Sequence, residues 1–294
     1  MLNRRSYLRT AAAAAASAAL ASKLNAQHEQ RSEIPFLSGS RPLFTYQYSA
    51  SRPKPYVHPL CAPDGTPVTQ DGPHDHIHHR GLMLAWSGVD GIDFWGETNP
   101  ARHGSLVHVK FEKRAENSLT SLIHWNAEGR LLLTESRRIS APKQPSDLTV
   151  LDWESVLTAP AKLQLGTAGH VYNGLGVRVA ESMDNGEVLN SNGTTTIEKA
   201  NGEAANWCVY TGKLGAGTAS IAFFDHPGNP RHPSPFFVMN NKFGYMSAAP
   251  TFREDIFLAK GEQIRFRWRV LVWQGAKRRE EIDQLYRAWE GGRA

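Results

Sequence analysis

The sequence predicts an all-β fold, a large antiparallel β-sandwich closed by a C-terminal helix, on three observations. From Ser105 onward the chain runs in short stretches that alternate apolar and polar residues, as strands with one buried face do. Turn signals separate these stretches, and no alternation of strand with helix suggests a parallel sheet. Only the C-terminus repeats apolar residues at helical spacing. Two antiparallel sheets packed face to face satisfy all three. At 294 residues, 40% hydrophobic and 21% charged, the chain has material for a real core. A supersandwich of the mutarotase-like kind suits that length as a single domain, with a jelly roll as the alternative.

In chain order, residues 1–26 read as a twin-arginine signal peptide and its cleavage region. Arg4 and Arg5 precede Tyr7 and Leu8, an alanine-rich run spans Ala11 to Leu20, and Ala19-Leu20-Ala21 offers a small-residue cleavage site. The apolar run is too short to span a bilayer, which takes about 20 residues. The expected location is therefore periplasmic or extracellular, with no membrane span after signal removal. Without Arg4, Arg5 and Arg9, 30 basic side chains face 28 acidic ones, a net charge near +2 that is too small for a nucleic-acid footprint. Cys61 and Cys208 could pair in an oxidising compartment or stay as separate buried thiols.

Residues 27–41 form a polar lead-in without periodicity, and residues 42–294 form the domain. Strands are predicted at Leu82 to Trp86, Leu106 to Glu112, Leu119 to Trp125, Leu131 to Thr134 and Leu148 to Leu157, with a turn at Asn126 to Gly129. The clearest strand is Ile264 to Trp273: Ile264, Phe266, Trp268, Val270 and Val272 share one face, and Arg265, Arg267 and Arg269 share a solvated one. Ile282, Leu285, Tyr286 and Trp289 fall on one stripe of a terminal helix, with Glu280 and Glu281 in its first turn.

The functional centre is placed at His74 to Glu97, HDHIHHRGLMLAWSGVDGIDFWGE, where imidazoles, an arginine and acids lie among glycines and aromatics. If extended, His74, His76 and His78 would project to one side, and three imidazoles could hold a divalent transition metal. Gly72-Pro73 and Arg80-Gly81 argue instead for a loop entering the strand at Leu82. Without metal, His76 or His79 would serve as general acid or base with Glu97 as its partner, and Arg80 would hold an anion or oxyanion. Asp75, His58 and Trp95 join the substrate-binding set, Trp95 beside Glu97 offering a ring face and a carboxylate to a sugar. Phe94 and Trp95 could equally be core aromatics. Two later stretches are expected to converge on this centre: Tyr172 and Asn173 at a glycine-punctuated turn, and the proline-stiffened loop carrying His226, Asn229, Arg231 and His232.

Four segments carry a resemblance: HPLCAPDGTPVTQDGPHDHIHHRGL, GIDFWGE, DHPGNPRHP and FRWRVLVWQG. Together they resemble the exported bacterial family of unknown function commonly labelled PmoA or methane oxygenase-like, with DHxHHR, here Asp75 to Arg80, as its specific core. The resemblance runs from about Pro42 to Trp289. Membrane methane monooxygenase subunits are built of transmembrane helices, and no stretch of 18 or so apolar residues follows the leader, so methane oxidation is discounted. The resemblance implies a β-sandwich protein of carbohydrate degradation, and no mechanism carries over with it. The expected function is an exported carbohydrate-processing enzyme, a hydrolase, lyase or epimerase acting on a small-molecule or oligosaccharide substrate. The alternatives are a non-catalytic carbohydrate-binding protein and a metal-dependent oxygenase or hydrolase.

Overall fold

A computed structural model describes residues 32–97, 99, 102–167 and 170–292. The twin-arginine segment 1–26 with its cleavage site lies outside the described residues. The chain opens with β1 (Glu33–Ser38), β2 (Arg41–Gln47), β3 (Tyr56–Leu60) and β4 (Leu82–Trp86). Long hairpins follow: β5 (Ser105–Ala115), β6 (Ser118–Ala127), β7 (Arg130–Ser140) and β8 (Thr149–Thr158). Next come β9 (Leu163–Leu165), β10 (Asn173–Arg178), β11 (Glu187–Asn190), the short helix α1 (Ile197–Ala200), β12 (Trp207–Leu214) and β13 (Gly217–Asp225). The chain ends with β14 (Phe236–Met239), β15 (Tyr245–Ala248), β16 (Ile256–Leu258), β17 (Gln263–Gln274) and α2 (Arg279–Glu290).

Two antiparallel sheets form the sandwich, one ordered β1-β2-β3-β4-β10-β15-β14 and the other β11-β12-β13-β17-β8-β7-β6-β5. This is the large sandwich that the sequence predicts, and it exceeds the eight strands of a jelly roll. β17 keeps the predicted alternation: Ile264, Phe266, Trp268, Val270 and Val272 all enter the core between the sheets. Its arginine face is less solvated than expected. Arg269 is buried, with Nε and Nη2 donating to the Asp152 carboxylate at 2.7 and 2.9 Å. The cover over that face is α2, whose Ile282 and Tyr286 pack on Trp207, Phe224, Leu271 and Trp273. Residues 33–38, expected within a featureless lead-in, pair with β2 as an edge strand and bury Phe36. One inward aromatic and backbone pairing suffice there, so local composition carried no period. Cys61 and Cys208 are separate buried thiols.

Strand alternation gives the seven-stranded sheet two different faces. Leu82, Leu84, Trp86, Leu175, Val177, Met246 and Val238 point into the sandwich. Met83, Ala85, Phe237 and Tyr245 point away from it and build a second apolar cluster with Tyr56, Trp95 and Phe243. That outer face carries the site.

Inside the sandwich a buried ion pair ties the layers together. Arg137 donates from Nε and Nη2 to Glu135 at 2.7 and 2.9 Å, and from Nη1 to the Pro55 carbonyl of the opposite sheet at 2.8 Å. Trp125 Nε1 and Ser155 Oγ complete the carboxylate's shell at 2.9 and 2.5 Å, and both charged residues are fully buried. Removing one member of such a pair strands the other in low dielectric. Glu135→Leu alone should therefore cost about 3–5 kcal/mol in urea unfolding, and Glu135→Leu combined with Arg137→Met should recover much of it. A double variant no more stable than the single one would refute this role.

Candidate functional site

The histidine segment is a loop, folded by its own backbone. His76 N donates to the Pro73 carbonyl at 3.0 Å, His79 N to His76 at 2.9 Å, and Gly72 N to His79 at 2.8 Å. Two successive turns replace the extended alternation, so His74, His76 and His78 do not share a face. His74 is exposed, whereas His76, His78 and His79 line one cleft.

Arg80 and Glu97 anchor that loop beneath the cleft. Arg80 donates from Nη2 and Nε to Glu97 Oε2 at 2.6 and 3.0 Å, and its Nη1 reaches Asp71 at 3.3 Å. Lys54 Nζ stands 2.9 Å from Glu97 Oε1 and donates to the Trp95 carbonyl at 2.7 Å. Tyr56 OH donates to Asp71 at 2.8 Å. Burial pushes the Glu97 carboxyl up, but the charges and hydrogen bonds of Lys54 and Arg80 outweigh it and hold its pKa below the ordinary range. The expected roles of proton partner for Glu97 and anion anchor for Arg80 are thus corrected: each is the other's counter-ion, and neither lines the cleft.

The cleft encloses about 570 Å³ on the outer face of the seven-stranded sheet. Trp95, Tyr172, Phe237, Phe243 and Tyr245 give it apolar walls. Trp95 is a wall and a packing residue at once, its ring centroid 5.7 Å from Tyr172 and 5.6 Å from Tyr245, while Phe94 is core. His79 stacks on His76 at 4.7 Å and 16° and lies 4.9 Å from the Tyr245 ring. Burial, reinforced by the neighbouring imidazoles, pushes His79 far below the ordinary histidine value. His78 is pushed down to about 4 by burial first and by Lys54 and His76 next. His76 Nδ1 lies 3.1 Å from Asp75 Oδ2, close enough for an ion pair though off hydrogen-bond geometry. Asp75 is also 3.4 Å from Arg178 Nη2.

Among the cleft residues that escape the sequence reading are Asp93, His103 and His170. Asp93 Oδ1 accepts the backbone N–H groups of Trp95 and Gly96 at 2.7 and 3.1 Å, and its Oδ2 lies 3.3 Å from His103 Nε2. His103 Nδ1 accepts the Asn99 N–H at 3.2 Å, which places the proton of the neutral ring on Nε2, facing Asp93. Gly96 makes this possible, since a Cβ there would sit 2.8 Å from both Asp93 Oδ2 and the His103 ring. Asp93 stands in the marked GIDFWGE stretch, but no spacing rule connects it to His103, ten residues on.

The other expected residues lie elsewhere. His58 bonds Thr69 Oγ1 at 3.0 Å, outside the cleft. Asn173 is buried, bonded to Val171 and Thr251, while its neighbour Tyr172 is 42% exposed and joins the wall. The 225–233 loop does not converge on the cleft. Its hub is buried Asp225, which accepts from Asn229 Nδ2 at 2.7 Å and Ser234 N at 2.9 Å and stands 2.8 Å from His232 Nδ1. Arg231 bonds Glu254, and His226 packs edge-on against Trp289 of α2. Proline-stiffened loops serve equally to close a sheet, and this one joins the two layers. Among the described residues no three His, Cys, Asp or Glu side chains are grouped to hold a metal ion, so the set His74, His76 and His78 does not fit one.

Depressed histidines make stability depend on pH. Below the ordinary value near 6.5 the unfolded chain takes up a proton that folded His79 refuses, so stability is full above that pH and falls as pH drops below it. The slope contributed is up to about 1.4 kcal/mol per pH unit. Urea unfolding of His79→Asn should show that slope reduced between pH 6.5 and 4.5. An unchanged slope would mean that His79 is not held neutral.

A family model described as a family of unknown function, DUF6807, matches residues 33–287. The methane-oxygenase label draws no support from that match. No curated protein matches the chain. Among solved structures, a galactose mutarotase-like protein from Lactobacillus casei aligns at 10% identity over 82% of this chain and 99% of its own, with a TM-score of 0.49. An Escherichia coli K12 protein assigned as an aldose 1-epimerase aligns at 13% identity over the same shares, with a TM-score of 0.41. Among the described residues no helix is long and apolar enough to cross a membrane. With its match running from the first strand into the C-terminal helix, the chain belongs to the DUF6807 family.

Proposed function

We propose that the outer-face cleft binds a sugar and carries out acid–base chemistry on it, as hydrolysis, elimination or epimerisation, in an exported protein whose residues 1–26 are the export signal. One observation carries this reading: aromatic walls and a row of imidazoles share a single cleft of about 570 Å³. Ring faces such as those of Trp95 and Tyr172 suit the C–H faces of a pyranose, and imidazoles exchange protons with its hydroxyls or ring carbons. His76, with the Asp75 carboxylate 3.1 Å from Nδ1 as its counter-charge, is the foremost proton carrier. His79 is neutral and stacked on His76, and serves the site by fixing that ring and accepting a substrate hydrogen bond. Asp93, whose Oδ1 accepts two backbone N–H groups and whose Oδ2 faces the His103 N–H, is the cleft's own carboxylate and takes the role first expected of Glu97.

A non-catalytic carbohydrate-binding protein is the second reading. It is favoured by the value near 4 for His78, which leaves that ring little proton affinity at neutral pH and suits it to hydrogen bonding alone. Turnover separates the two.

A screen of aryl glycosides, uronates and free aldoses should find one substrate class whose rate falls at least 100-fold in the combined variant His76→Ala and His79→Ala, with the fold retained by circular dichroism. Full activity in the double variant would sink the assignment, and binding without product would leave the second reading.

A further inference from the structure

The outer face holds a group of polar atoms that the cleft's aromatic walls conceal. Arg178, Tyr245 and Ser247 are 3%, 1% and 0% exposed. Arg178 Nε and Nη1, Tyr245 Oη and Ser247 Oγ have no protein partner. They are neighbours by register, because β10 and β15 pair Arg178 with Tyr245 and Gly176 with Ser247. A Cβ at Gly176 would collide with the Tyr245 hydroxyl, so that hydroxyl lies over bare backbone beside Ser247.

Such a group is costly. Each buried donor left unpaired loses the hydrogen bond it made to water, and a charged one loses more. Arg178 has one weak contact, Nη2 to Asp75 at 3.4 Å, with Asp75 itself partly exposed and shared with His76. The nearby Asp184 carboxylate accepts the Gly244 N–H at 2.6 Å. The guanidinium lies 4.1 Å from the centre of the Phe243 ring, and Phe243, Tyr245 and His79 all line the cleft. Lys242 adds a cation at the rim. Guanidinium and hydroxyl donors that are dry, carried on paired positions of two neighbouring strands and left with free hydrogens match an anion, to which charge-assisted hydrogen bonds are the strong ones.

We propose that Arg178, Tyr245 and Ser247 form an anion subsite under the cleft, which takes the negatively charged substituent of an acidic sugar, a uronate carboxylate or a sulfate ester. This rests on the reading of the cleft as a sugar site and adds the substrate's charge to it. Phe243 covers the guanidinium of that subsite, its ring centre 4.1 Å away.

Calorimetric titration of the full chain with D-glucuronate, D-glucose 6-sulfate and D-glucose tests it. At least one acidic sugar should bind tenfold or more tightly than glucose, and which of the two does so names the anion. Arg178→Gln and Ser247→Ala should each erase that preference while leaving glucose affinity within twofold, and Tyr245→Phe should erase it as well. Tyr245→Phe should leave the melting temperature unchanged or raised, because it removes a hydroxyl that bonds nothing in the protein; a purely structural Tyr245 would lower it. Glucose binding as tightly as both acids would overturn the anion subsite and leave the sugar reading intact. No binding of any of the three would overturn both.

Discussion

A carboxylate buried between two cations holds this site in place. Glu97 meets Arg80 at 2.6 Å and Lys54 at 2.9 Å with its side chain 3% exposed. Each charge would be expensive alone in that position, and together they are fixed by mutual need rather than by packing. The network pins both ends of the site at once. Arg80 terminates the histidine loop, Glu97 follows Trp95, and Lys54 leads into β3 while bonding the Trp95 carbonyl. Imidazoles and aromatic wall therefore keep their relative positions without belonging to one rigid element.

That constraint has its effect because the seven-stranded sheet is two-sided. The inner residues of β4, β10 and β15 are committed to the sandwich core, which fixes their registers. With the register set, every second residue must face outward, and Met83, Ala85, Gly176, Arg178, Tyr245 and Ser247 have no second sheet to meet. Loops cover them instead, and loops can carry histidines, acids and glycines that a core would reject. The eight-stranded sheet solves the same problem with α2 and becomes an inert back wall.

The fold was legible wherever one residue in two had to be apolar. β17 and the stripe of α2 could be read because burial imposes a period on them. β1 could not, since its Phe36 is a single anchor on an edge. The histidine loop was visible as a composition too costly to be idle, but composition does not give direction. His74 and His76 stand two residues apart, and one is exposed while the other lines the cleft, because turns at Pro73 and His76 break the strand period. Glu97 looked like a reactive acid because the sequence does not show that Lys54, 43 positions earlier, neutralises it. His103 was silent for the converse reason, its partner Asp93 being found only across a loop. The Asp225 loop shares the vocabulary of a binding loop, with prolines, histidines and an arginine, and spends it on joining the layers.

The crowding of imidazoles itself limits the chemistry. His76, His78 and His79 have ring centroids within 4.6 to 5.5 Å of one another. Three positive charges at that spacing, beside Lys54 and Arg178, would repel strongly, so the cluster accepts few protons at a time. Burial first and this crowding next hold His78 and His79 low, and the ring with a carboxylate beside it is His76, 3.1 Å from Asp75. The same crowding makes the cleft receptive to negative charge. In the proposed anion subsite, a negative charge near Arg178 would ease the repulsion that Arg178 exerts on His79 and so raise the hold of that buried ring on a proton.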